Sequence, residues 1–171
     1  IPTKGGCVWD VGAHNGVLSS NSLYLIRAKN FQAYLFEPAS EQFARLVRLH
    51  HDQHARRVEI FNVALGGIVS GITREGEVSS SVPPLVRLRS FPTGTESTTN
   101  PQQVGQFDSA PEFTSWVGQI DARIVCEQLR VARNAGKCGN MTVLSVDTEG
   151  SDQSILLRIL RGGGGGGGGG G

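Results

Sequence analysis

Three short polar clusters in this chain each follow an apolar run, and they hold most of the residues able to do chemistry. Asp10-Val-Gly-Ala-His-Asn-Gly16 begins at the end of the run Cys7–Val11, Glu37-Pro38 follows Gln32–Phe36, and Asp147-Thr-Glu-Gly-Ser-Asp152 follows Met141–Val146. Nucleotide-binding sheets grip a ribose hydroxyl pair with an acid about twenty residues past a glycine turn. Glu37 stands 21 residues after Gly16. The first cluster offers Asp10, Gly12, Ala13, His14, Asn15 and Gly16 as the lining of a cofactor loop. The spacing Gly12-x-x-x-Gly16 lacks the middle glycine that a dinucleotide diphosphate calls for. Asp10 also puts a carboxylate at the mouth of that loop, where it would repel a diphosphate by several kcal/mol. S-adenosylmethionine has no phosphate, and its sulfonium and α-ammonium suit Asp10. The pattern therefore favours a methyl donor over NAD(P), and with no Walker sequence present NTP hydrolysis falls away.

The elements that must position these clusters alternate. Cys7–Val11 reads as a buried strand broken by glycines, and Val17–Ala28 as a helix with Asn15 or Ser19 as its cap. Gln32–Phe36 reads as a second strand, and Ser40 starts a helix with Phe43, Leu46, Val47 and His50 on one stripe. Val58–Leu65 reads as a third strand. A helix near Ala122–Arg133, a strand at Met141–Val146 and a helix capped by Ser151 or Asp152 and running through Leu160 complete the order. This alternation predicts an α/β, Rossmann-like three-layer fold with a mostly parallel sheet. Residues 67–119 lack the pattern and read as a long irregular insertion or lid, with short strands at Ile68–Thr73 and Val86–Leu88.

Composition sets the bounds. The 171 residues include 24 glycines, and the last ten, Gly162–Gly171, are consecutive. That tail has no side chain to bury and is set apart from a single domain over residues 1–161. Sixteen basic and fifteen acidic residues give a formal charge of +1, which supplies no field for nucleic acid. No apolar run approaches the roughly 20 residues of a membrane helix. Three cysteines, odd in number and without metal-ligand spacing, point to reduced thiols and a cytoplasmic setting. His50-His51-Asp52-Gln53-His54 reads as a solvated helix end rather than a metal site.

Taken together, Asp10-Val-Gly-Ala-His-Asn-Gly16, Phe36-Glu37-Pro38, Asn62-Val-Ala-Leu-Gly66 and Leu144-Ser-Val-Asp-Thr-Glu-Gly150 resemble the FkbM-type S-adenosylmethionine-dependent methyltransferases. Ser19-Ser20-Asn21-Ser22-Leu23-Tyr24 resembles that family's first helix, and the likeness spreads over most of residues 7–160. It implies a class I methyltransferase fold, S-adenosyl-L-methionine as cofactor, and methyl transfer to a hydroxyl of a small molecule or sugar. Carried over by position, Asp10, Gly12 and Gly16 would line the methionine and loop side, and Glu37 would hold the ribose. Asn62 or Val63 would lie near adenine, and Asp147 near the reacting centre. The family core continues with a fifth strand and a hairpin, so the resemblance implies that the C-terminal strands are missing here.

An alcohol acceptor needs a base, and His14, Asp147, Glu149 and Asp152 are the candidates. In an extended segment Asp147 and Glu149 would share one side, close enough to raise one pKa or, alternatively, to hold a divalent cation. Two rival functions stay open: a non-catalytic Rossmann-like binding module and, disfavoured by Asp10, an NAD(P)-linked oxidoreductase. Acceptor identity and oligomeric state are not written in the pattern.

Overall fold

The computed structural model describes residues 5–18, 20–54, 56–66, 85–90, 97–98 and 113–162. Four strands form a parallel sheet in the order β3–β2–β1–β8, with β1 Cys7–Val11, β2 Gln32–Phe36, β3 Val58–Phe61 and β8 Thr142–Val146. β1 lies in the middle, with Val11 opposite Phe36 on one side and opposite Val146 on the other. All five residues of β1 and of β2 are buried, as near-continuous apolar strands covered on both faces must be. Val8, Ala33 and Leu35 pack toward Ile26 of α1 (Leu23–Lys29) and Leu46 of α2 (Ser40–His54). Trp9, Val11, Tyr34 and Phe36 pack on the opposite face toward α3 (Ile124–Asn134) and α4 (Asp152–Gly162), through Val125, Ala132, Ile155 and Ile159. The described residues thus form an α/β arrangement, four helices on a four-stranded parallel sheet, compatible with a Rossmann-like fold. Stacking of Trp9 on Tyr34, with ring centroids 4.7 Å apart, and of Phe36 on Phe61, at 4.9 Å, joins neighbouring strands on that second face.

Five expectations change. The first helix begins at Leu23, not Val17, because Asn15 Oδ1 accepts the amides of Val17 at 2.9 Å and Leu18 at 3.0 Å and holds them in a side-chain-closed turn. The third strand divides. Asn62 Nδ2 donates to the carbonyl oxygens of Glu37 at 2.8 Å and Pro38 at 3.2 Å, and beyond it the chain leaves the sheet as β4, Ala64–Gly66. The 67–119 insertion supplies β5 (Leu85–Ser90), β6 (Ser97–Thr98) and most of β7 (Phe113–Asp121) to a second sheet begun by β4, order β4–β7–β5–β6, in which β5 runs antiparallel to β7 and to β6. β5 includes the Val86–Leu88 segment, whereas Ile68–Thr73 lies outside the described residues.

The fourth change concerns the thiols. Cys7 and Cys138 form a disulfide, leaving Cys126 free with its Sγ 3.3 Å from the carbonyl oxygen of Ile159. Spacing along the chain hides this pair. β8 returns beside β1 with Thr142 opposite Cys7, which brings the segment before β8 back to the start of β1. The fifth is His50, only 2% exposed; it continues the stripe of Leu46, so burial on α2 outweighs the preference of a histidine for a wet helix end. His51 beside it is exposed. Among the described residues no helix is long and apolar enough to cross a membrane.

Asp121, at the end of β7, ties the second sheet to α4. Arg158 donates to it through Nε at 3.1 Å and Nη2 at 2.7 Å, and Arg123 through its amide at 2.9 Å and Nε at 3.0 Å. Burial pushes the Asp121 carboxyl up, but the arginine contacts outweigh it and hold the pKa at about 2, below the ordinary 3.8. A folded-state pKa below the unfolded one adds stability that is complete above the unfolded value and is lost as pH falls toward the folded one. Arg158→Ala is therefore expected to raise the Asp121 pKa toward 3.8 and to flatten the loss of stability between about pH 4 and pH 2. Carboxyl-detected NMR titration and acid unfolding of both proteins check this.

Candidate active site

The carboxyl ends of β1, β2 and β8 open into one cavity, walled by the loop after β1, by Glu37–Ala39, by Val63–Leu65 and by the Asp147–Glu149 turn. Ligands of open parallel sheets bind at this edge. Asp10, last but one on β1, is 2% exposed and accepts from Ser22 Oγ at 2.6 Å. Burial pushes its carboxyl up, hydroxyls of Ser22 and Ser145 pull it down, and the charge of Asp147 adds to the rise. Asn21 Nδ2 donates to Ser145 Oγ at 3.0 Å, so the stretch from Asn21 to Ser22 is pinned across the ends of β1 and β8.

Glu37, 6% exposed, is held on both oxygens by backbone. Oε2 accepts the amide of His14 at 2.8 Å, and Oε1 accepts the amide of Ala39 at 2.7 Å. Each oxygen keeps a second lone pair for a ligand hydroxyl. Burial is the largest influence on its carboxyl and raises the pKa; the two amides and His14 oppose it, and Asp10 adds to it. Pro38 after Glu37 stops the strand, and the His14 and Ala39 amides hold the carboxylate at the sheet end.

The loop geometry is demanding. Gly12 has φ 85°, and a Cβ there would collide with the carbonyl of Asp147, so this glycine lets the β1 and β8 ends approach. His14 at φ 52° and Glu149 at φ 49° are two of the three non-glycine residues in the left-handed region among those described, and both line the cavity. Backbone strain of this kind costs about 1–3 kcal/mol per residue and concentrates at functional sites.

Of the residues expected from the sequence, the cavity brings together Asp10, Gly12, Ala13, His14, Glu37, Val63, Asp147 and Glu149. Asn15, Gly16 and Asn62 are not part of its wall. Asn15 closes the turn at 17–18 and Asn62 braces Glu37 from behind. Gly16, at φ 76°, is packed under α2, where a Cβ would run into Leu46 and Leu49. Asp152 accepts Thr148 N at 2.6 Å and Thr148 Oγ1 at 2.7 Å, organising the turn before α4 instead of facing the cavity. The same-side argument for Asp147 and Glu149 also fails, because the left-handed Glu149 breaks the alternation of an extended segment. Both still reach the cavity.

Leu88 of β5 was not legible in the sequence. It is 2% exposed, packs with Ala39, Ala64 and Val117, and closes the wall next to Glu37–Ala39. Gln42 of α2 and Leu18, Ser20 and Asn21 of the loop also line the cavity. Only the alternation of Val86 and Leu88 within β5 hinted at an inward-facing apolar residue here.

No family model matches the chain, and no curated protein or solved structure matches it. The cavity speaks for itself. It offers two buried carboxylates on neighbouring strand ends, an apolar wall from Ala39, Val63, Leu65 and Leu88, and two exposed carboxylates at the turn after β8.

Proposed function

We propose that this domain binds S-adenosylmethionine at the carboxyl end of its parallel sheet and serves as an O-methyltransferase for a hydroxyl of a small molecule or sugar. The fold is then that of a class I methyltransferase, in line with the FkbM-like sequence blocks. The observation that carries the reading is the buried pair Asp10 and Glu37, set at the carboxyl ends of adjacent strands at one cavity edge. The donor set fits the cofactor. Glu37 has lone pairs left for a ribose hydroxyl pair, Ala39, Val63, Leu65 and Leu88 suit the flat face of adenine, and Asp10 suits a cation. A diphosphate suits none of these, since it would stand against Asp10 in a site of low dielectric.

When bound, the cofactor would supply a methyl carbon activated by its sulfonium, to which the acceptor oxygen would bond in line as the carbon–sulfur bond breaks and the electron pair leaves with the neutral thioether. The protein has to hold the acceptor oxygen on that line and exclude water. Leu88 closes the apolar wall, and Ser20 and Asn21 offer hydrogen bonds to acceptor hydroxyls. The proton leaving the acceptor goes to a carboxylate oxygen of Asp147 or Glu149, or to the imidazole of His14, and from there to water.

Calorimetric titration with S-adenosylhomocysteine tests the reading, with micromolar binding expected. No binding at millimolar ligand by a folded sample would remove it. Binding without methyl transfer to any hydroxyl acceptor would leave the non-catalytic module in its place.

A further inference from the structure

We infer that Ser22 is a positioning residue for this cavity: its hydroxyl is withdrawn from the cap of α1 and given to Asp10, where it aims the buried carboxylate and keeps it charged for a cationic ligand. The choice of cation rests on the cofactor reading above, whereas the part played by Ser22 stands on geometry alone. A serine at the start of a helix ordinarily accepts an amide of the first turn. Ser22 directly precedes α1, yet among the described residues its side chain caps no amide there. Its Oγ donates instead to Asp10 Oδ2 at 2.6 Å, and both residues are 2% exposed. That length is typical of a hydroxyl bonded to an ionised carboxylate. Capping passes to Ser20, whose Oγ accepts the Leu23 amide at 3.1 Å. The helix thus gives up its ordinary cap where the chain meets the cavity, a departure expected where function overrides local preference.

Two lines of donors converge on Asp10. Ser20 Oγ lies 3.5 Å from Ser22 Oγ, and with the Ser22 hydrogen committed to Asp10, the Ser20 hydrogen is the one left for that contact. The far side repeats the pattern. Ser145 stands opposite Asp10 in the β1–β8 register, hydrogen-bonds its carboxylate, and accepts Asn21 Nδ2 at 3.0 Å. These donors work against the surroundings. Burial disfavours the charge on Asp10, as does the Asp147 carboxylate after β8, and Glu37 after β2 is a further like charge in reach. His14 also lines the cavity, and among the described residues no Lys or Arg does. Without a Lys or Arg at hand, hydroxyls hold the charge on Asp10 until a cation arrives.

Carboxyl-detected NMR titration of the free protein tests this, together with calorimetric titration of S-adenosylhomocysteine over the same pH range. Ser22→Ala is expected to move the Asp10 midpoint upward, because it removes a donor that favours the ionised form. Ser145→Ala, which lies outside the helix, should move it the same way by less. On the acidic limb of the binding profile Ser22→Ala should lose about tenfold in affinity, the low end of what one hydrogen bond to a charged group contributes. Ser22→Thr keeps a hydroxyl and should restore both midpoint and affinity. Ser20 still caps Leu23 in each Ser22 variant, and a retained amide spectrum shows that each folds. A merely structural hydroxyl would lower the unfolding temperature of Ser22→Ala and leave the Asp10 titration in place. That result overturns the inference, as does an unmoved midpoint in Ser145→Ala or a Ser22→Thr protein that titrates like Ser22→Ala. Failure of the cofactor reading is seen separately, as absence of S-adenosylhomocysteine binding by the wild type at any pH. The carboxyl titrations of the free protein then still decide what Ser22 does.

Discussion

Glu37→Gln is expected to lower affinity for S-adenosylhomocysteine by about a hundredfold or more. Hydrogen bonds to a charged group contribute about 1.5–3 kcal/mol each, and a ribose offers two hydroxyls to the Glu37 carboxylate. Losing both charge-assisted bonds therefore costs about 3 kcal/mol at least, or two powers of ten in affinity. The carboxamide adds a second fault. It turns one of the two oxygens into a donor, and that donor then faces either the His14 amide or the Ala39 amide, both of which Glu37 now accepts at 2.8 and 2.7 Å. A buried amide left without its acceptor costs about 1–3 kcal/mol, so thermal unfolding of the variant should fall by several degrees as well. The two effects separate by titrating far below the unfolding temperature.

The pH dependence has a definite sign. Burial raises the Glu37 carboxyl against the pull of the Ala39 and His14 amides, and burial raises Asp10 likewise. Ligand hydroxyls and cations favour the ionised forms, so affinity should rise as pH climbs through these raised pKa values and level off above them. Protons should be released on binding in the acidic part of that range, visible as a buffer-dependent calorimetric enthalpy. An affinity within threefold of wild type for Glu37→Gln would detach the cavity from the proposed cofactor.

Which parts of this arrangement were legible depends on how local the cause is. β1 and β2 end where the sequence says because Gly12 and Pro38 are local stops, and their burial follows from unbroken apolar runs. Asp10 and Glu37 were legible for the same reason: a polar residue directly at a buried strand end has nowhere to point but the cavity. Gly16 shows the limit. The sequence displays a glycine in a loop, but its reason lies in Leu46 and Leu49, thirty and more residues away on α2. β7 escaped because both sides of Phe113–Asp121 carry mixed residues, with Val117 buried and Trp116 60% exposed, so no period stands out. Leu88 could not be assigned to the cavity without knowing that β7 pairs with both β4 and β5. The Cys7–Cys138 bond is the extreme case, a contact with a sequence separation of 131 created by the return of β8 to β1.

Reducing that bond is expected to take about 5 kcal/mol from the unfolding free energy. Cross-linking constrains the unfolded chain more as the closed loop lengthens, about 4.7 kcal/mol for a 100-residue loop and slightly more for this one. Native domains hold only about 5–15 kcal/mol in total, so the reduced protein should be marginal at ambient temperature. Denaturant titration with and without dithiothreitol measures the difference, and the Cys7→Ser, Cys138→Ser double variant should match the reduced wild type. The effect should leave the site largely untouched. Cys7 begins β1 and Asp10 nearly ends it, roughly 10 Å away at about 3.3 Å per strand residue, and the start of β1 stays tied by backbone. Cys7 N donates to Met141 O at 2.9 Å, and Gly139 N to Gly5 O at 3.0 Å. Under conditions where the reduced protein is still folded, its affinity for S-adenosylhomocysteine should therefore match that of the oxidised form. A loss of affinity parallel to the loss of stability would mean that the strand ends are not independent. The surroundings matter to this bond as well. Disulfides persist where conditions oxidise thiols, and the cytoplasm expected from the cysteine count would tend to open this one. A loss below 1 kcal/mol on reduction would show that the backbone bonds at the base of β1, not the sulfur bridge, hold the segment before β8 to the start of β1.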